Sequence, residues 1–165
     1  MIMKITASIK GLDKLKQKIQ RIKKAAEGEL AKKATGTGGA ILRDEAREIV
    51  YTAPDDYVVY NSDGKGGKTR TVVKPGHVGR SIIMKRIPAS ERPGLTSKHI
   101  VTVSNSQELP KGARQIATFV EYGINMPQPH PFMSTAYYNK GSEAKKEAFK
   151  VLLKGVNEAW KKGSA

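Results

Sequence analysis

The chain has no cysteine among its 165 residues. That excludes disulfide staples, thiolate metal sites and thiol catalysis, and it suits a reducing compartment. Acids are scarce beside bases, with 15 Asp and Glu against 30 Lys and Arg, giving a formal charge of +15 and a pI near 10.0. Aromatic residues make up only 6% of the chain, with a single tryptophan. They are not interleaved with the basic residues in the manner of a base-stacking surface. No apolar run approaches the roughly 20 residues of a membrane span, and the opening MIMKITASIK lacks the extended apolar core of a signal peptide. A product of the cytoplasm is the expectation.

What the chain does have is charge, and it is spread out. Residues 1–50 carry 12 basic and 6 acidic side chains, residues 51–100 carry 9 and 4, and residues 101–165 carry 9 and 5. A sequence-reading nucleic-acid module more often gathers its excess on one helix, so this pattern points to a solvated basic surface or to non-specific contact with polyanions.

Periodicity places the elements. Met1–Ile9 alternates as a strand does. From Leu12 to Ala34 apolar residues recur at spacings of three and four, the pattern of an amphipathic helix. The stretch TGTGGA, from Thr35 to Ala40, interrupts it with glycines while the same phase continues to Ile49. Clustered glycines predict either a hinge or a close helix crossing. The expected arrangement is two helical segments in line, ending before Pro54. Residues 55–79 combine turn signals with two β-prone patches, Tyr57–Tyr60 and Thr71–Val73, and predict a mobile hairpin or long loop. Ser81–Ile87 and His99–Ser104 read as an antiparallel strand pair, with His99 at the surface or half-buried. Gln115–Tyr122 fits a short helix or a strand, and Ser134–Lys161 a long helix. The sum is an α+β domain over residues 1–165, a small antiparallel sheet with long helices at both ends of the sequence.

Catalytic patterns are weak. The three histidines, His77, His99 and His130, have no metal-ligand spacing. Asp55, Asp56, Asp63 and His77 would suit a divalent cation by chemistry, yet they fall in a glycine-rich stretch that does not hold ligands rigidly. GKGGKTR, Gly64–Arg70, lacks phosphate-loop spacing. Glu121, set among Phe119, Val120 and Tyr122, is the acid best placed for a special role; a half-buried carboxylate there needs backbone N–H donors or a neighbouring arginine. Pro127, Pro129 and Pro131 stiffen the segment that follows, so that Phe132 and Met133 are delivered as anchors, either into the domain's own core or across a subunit boundary.

Four segments occur in a telling order: TAP (Thr52–Pro54), GHVGRSI (Gly76–Ile82), FVEYG (Phe119–Gly123) and PHPFMSTA (Pro129–Ala136). Together they resemble the tail-completion, or neck, family of HK-type long-tailed bacteriophages, with departures at Pro75, Val78, Ile124 and His130. The resemblance implies a non-enzymatic virion protein, assembled in the host bacterial cytoplasm, that joins head to tail as a ring of identical subunits, without cofactor or membrane. Implied partners are further copies of itself, head-side connector and tail-terminator proteins, and packaged DNA touched non-specifically; sixfold tail symmetry implies a hexamer. The implied interface or motif residues are Glu121, Tyr122, Gly123, Pro129, Pro131, Phe132 and Met133, with Gly76, His77, Arg80 and Ser81 as loop and assembly candidates. The alternatives are a basic nucleic-acid-binding protein and a metal-dependent nuclease.

Overall fold

A computed structural model describes residues 12–62, 66–105, 112–124 and 128–162. The first strand expected at Met1–Ile9 lies outside the described residues. Among the described residues five α-helices and four strands follow in order: α1 (Leu12–Ala25), α2 (Ala31–Ile49), β1 (Tyr57–Ser62), β2 (Lys68–Val73), the single turn α3 (His77–Ser81), β3 (Ile82–Arg86), β4 (His99–Val103), α4 (Ala113–Tyr122) and α5 (Met133–Lys162). The class is α+β, with the longest helices toward the two ends. The strands form two separate antiparallel pairs, β1 with β2 and β3 with β4. Among the described residues no helix is long and apolar enough to cross a membrane.

The expected break at TGTGGA is a correction. Helix α2 runs unbroken through Gly36, Gly38 and Gly39, and the interruption falls earlier, in a π turn at Ala26–Leu30 where Gly28 leaves helical geometry (φ −104°, ψ −127°). The glycine cluster serves the second of the two alternatives, close crossing. A methyl group on Gly38 would sit 3.0 Å from the backbone oxygen of Ala144 and 3.4 Å from Cβ of Ala148, both on α5. Small residues let the two backbones approach, and the contact outweighs the helix propensity that glycine forfeits. Gly28 meets nothing, so only chain conformation is at stake there.

Residues 115–122, ambiguous in the sequence, are helical: Ala113, Ala117 and Val120 form one buried stripe. The core joins them to Ala46 and Val50 of α2 and its C-cap, Val78 of α3, Ile82 and Val103 of the second strand pair, Phe132, and Ala136 of α5. Ile82 pairs with Val103 at one end of the β3–β4 ladder and Arg86 with His99 at the other. Two arginines tie that sheet to the helices. Arg47 of α2 donates twice to the Ile82 carbonyl (Nη2 at 2.6 Å), and Arg114 of α4 donates from Nε to the Val103 carbonyl at 3.0 Å. His99 is half-buried, with Nδ1 2.9 Å from the Thr35 hydroxyl. Burial, and then the positive charges of Arg86 and Lys32, depress its pKa.

The segment expected to be a hairpin or loop, 55–79, contains the β1–β2 hairpin, paired from Tyr57↔Val73 to Ser62↔Lys68, followed by α3. Val73 at its base is buried, so the hairpin is anchored to the domain at that end.

Candidate functional site

Two of the four segments singled out in the sequence, Phe119–Gly123 and Pro129–Ala136, meet at the joint between α4 and α5. Helix α4 ends because Gly123 adopts the left-handed conformation (φ 71°), with its neighbour Ile124 donating to the Phe119 carbonyl at 3.1 Å. This is the glycine C-cap arrangement, which satisfies carbonyls that the last turn leaves open. Glycine is needed there for a second reason: a Cβ would lie 2.8 Å from the nitrogen of Pro129. The proline-rich segment therefore packs directly on the cap. One residue further, the His130 N–H donates to the Val120 carbonyl at 2.8 Å, and its ring stacks on Tyr51 with centroids 4.7 Å apart.

At the other end of the joint α5 begins, and its first N–H groups have no partner within the helix. Glu121 supplies one. Its Oε2 accepts from the backbone N–H of Phe132 (2.8 Å) and Met133 (2.9 Å); its Oε1 accepts from the N–H of Ser134 (3.1 Å) and from the Ser134 hydroxyl (2.5 Å). The residue is 8% exposed. Of the two partners expected from the sequence, backbone donors are the ones found. Burial by itself would raise the Glu121 pKa, but the Ser134 hydroxyl and the three N–H groups together pull it below the usual glutamate value. A carboxylate at the positive end of a helix dipole is favoured in the same sense. With both oxygens occupied by donors of the same chain, Glu121 works as a cap contributed by another helix.

Phe132 is 1% exposed and sits in the domain core, while Met133 is half-buried against it. Pro131 lies in the exposed approach to α5, and its carbonyl accepts from the Thr135 hydroxyl. Tyr122, by contrast, points outward and is largely solvent-exposed.

The second group of candidates belongs to α3 and the turn before it. Gly76 has φ 73° ahead of α3, and Arg80 closes that turn by donating to the Pro75 carbonyl at 2.8 Å. His77 and Ser81 are buried, and the Ser81 carbonyl accepts from the Ser104 N–H at 2.8 Å. His77 lines a cleft of about 430 Å3 together with Tyr51, Tyr57, Tyr60, Phe119 and Ile124. Burial raises the Tyr57 pKa against the opposing charge of Arg80. The cleft joins both groups of candidates, since Phe119 and Val120 belong to the joint and Gly76 to Val78 to the other motif.

The acids imagined as a cation site do not assemble. Asp55 and Asp56 are exposed, His77 is buried, and Asp63 lies outside the described residues. Among the described residues no three His, Asp or Glu side chains gather where they could hold a metal ion.

Sequence reasoning missed Ser134 and Tyr51. Ser134 had a signal, since a serine at the head of the Ser134–Lys161 apolar pattern marks a helix start. Tyr51 had none, because its partner His130 is remote in sequence. Comparison of the chain with protein-family models, with curated proteins and with solved structures returns no match.

Proposed function

We propose that the chain is a structural protein of a bacteriophage neck, a virion component that joins head to tail as a ring of identical subunits, and that it acts without catalysis. One observation carries this reading. The segments that resemble the neck family are not scattered: Val78, Ile82, Val120, Phe132 and Ala136 pack together in one core, with Tyr51, beside Thr52–Pro54, stacked on His130. The pattern thus serves one packed core together with the joint between α4 and α5, the kind of rigid part a scaffold needs. Side chains at its rim, Tyr122 and Ile124, are exposed and free of that duty. Contacts that repeat head-to-tail give a ring where the rotation between copies closes, and a sixfold tail calls for six copies. Basic side chains facing the lumen of such a ring would meet packaged DNA through its phosphates, without reading its sequence.

Sedimentation velocity of the protein alone, and mixed with purified head-side connector or tail-terminator proteins, tests the reading. A closed oligomer in either condition is the expected result. A monomer in every mixture, together with DNA binding that is sequence-selective and survives moderate salt, would overturn it in favour of the nucleic-acid-binding alternative, which the +15 charge alone supports.

A further inference from the structure

Helix α5 carries two apolar faces; among the described residues one packs on α2 and the other stays partly exposed. Gly141, Ala144 and Ala148 turn toward α2 and the groove beside it. At about 100° per residue, Phe149, Leu153, Val156 and Trp160 form a separate stripe whose centre lies about 120° around the helix from that face. Phe149 is 59% and Leu153 46% exposed, and Val156 is half-buried. Their spacing of four, three and four residues is that of a and d positions in a helix-pairing seam, with Leu153 and Trp160 at a, Phe149 and Val156 at d. At the far end Lys18 of α1 lies over the Trp160 ring, 5.3 Å from its centroid, and Leu15 and Ile19 of the same helix are also exposed.

The flanks of the seam identify the occupant. From residue 145 to 160 the flanking e and g positions are Lys145, Lys150, Leu152, Asn157 and Ala159, two cations and no acid. The adjoining α1 carries Lys14, Lys16, Lys18, Arg21, Lys23 and Lys24 against Asp13 alone. In a parallel second copy Lys145 would face Lys150 with no acid to offset either, which disfavours pairing. We propose that the Phe149–Trp160 face of α5 docks an amphipathic helix of a protein partner whose flanking positions are acidic. The inference stands on this face alone and is independent of the neck reading.

Trp160 is the only tryptophan of the chain, so its emission reports on the seam. The full chain is titrated with a synthetic three-heptad peptide bearing Leu at a and d and Glu at e and g, and with the same peptide bearing Lys at e and g. The expected result is a saturable blue shift with the Glu peptide, weakened by salt and absent with the Lys peptide. Phe149→Gln with Leu153→Gln should weaken binding at least about tenfold, as loss of a central anchor does, with an unchanged melting curve because both residues are exposed. Should the double variant melt early, Leu153→Gln alone is read. The proposal is overturned by no saturable shift, by an equal response to the Lys peptide, or by variants that bind as wild type. It is equally overturned if the shift appears only with phosphatidylglycerol vesicles or duplex DNA, or if sedimentation shows self-association that Leu153→Gln abolishes.

Discussion

Replacing Glu121 with glutamine keeps the shape of the side chain and removes its charge. Four donors now converge on its two oxygens, three of them backbone N–H groups at the start of α5. Glutamine retains one acceptor oxygen, while its NH2 group must face donors that it cannot satisfy. Losing a helix cap costs about 0.5–2 kcal/mol, and leaving a buried donor unpaired costs about 1–3 kcal/mol. The two overlap, so Glu121→Gln should cost about 2–3 kcal/mol, and Glu121→Ala somewhat more because a small cavity is added. For a chain of this size each kcal/mol lowers the midpoint by about 2–4 °C, an easily measured shift in circular dichroism at 222 nm. The effect should also depend on pH. Because folding lowers the Glu121 pKa below its ordinary value of 4.5, its contribution is present above that value and is lost as pH falls through the depressed folded one. Wild type and Glu121→Gln should therefore differ most near neutrality and converge in acid. A variant within about 0.5 kcal/mol of wild type at pH 7, the range of an unremarkable surface change, or a gap that widens on acidification, would refute the capping account.

Phe132→Ala should destabilise by about 3–5 kcal/mol, since the ring is buried in the core; a melting temperature near wild type in the isolated subunit would show that the ring serves an interface instead. Gly123→Ala should cost about 2 kcal/mol or more, combining the left-handed backbone with a clash against Pro129, and urea unfolding measures it. Gly36 and Gly38, two residues apart on α2, should respond in opposite directions. Alanine at Gly36, where only the His99 ring lies near at 3.8 Å, should stabilise by about 0.5–1 kcal/mol through helix propensity. Alanine at Gly38 should destabilise by about 1 kcal/mol because the α5 backbone blocks it. Equal effects at the two sites would refute the crossing account.

The parts of the fold that were legible in the sequence are those set by local pattern. The long α5 and the β3–β4 pair follow from their apolar periods, and the hairpin from turn residues between two β-prone patches. The break in the first helical region was misplaced because three glycines outweigh one when propensity alone is counted. Whether a glycine interrupts a helix or admits a neighbour depends on Ala144 and Ala148, more than a hundred residues away. Glu121 was recognisable as a buried acid needing donors, since a carboxylate among Phe119, Val120 and Tyr122 is costly without them. That the donors would be the first turn of the following helix was not, because a cap normally comes from the residue next to the helix. The cleft around His77 was likewise hidden, being walled by segments that meet only in three dimensions.

The joint between α4 and α5 is pinched at its neck by three independent ties: the Glu121 carboxylate, the His130 N–H on Val120, and the packing of Pro129 on Gly123. Because the same joint fixes where α5 starts, a small shift there is carried as by a lever along all 30 residues of that helix, about 45 Å at 1.5 Å per residue.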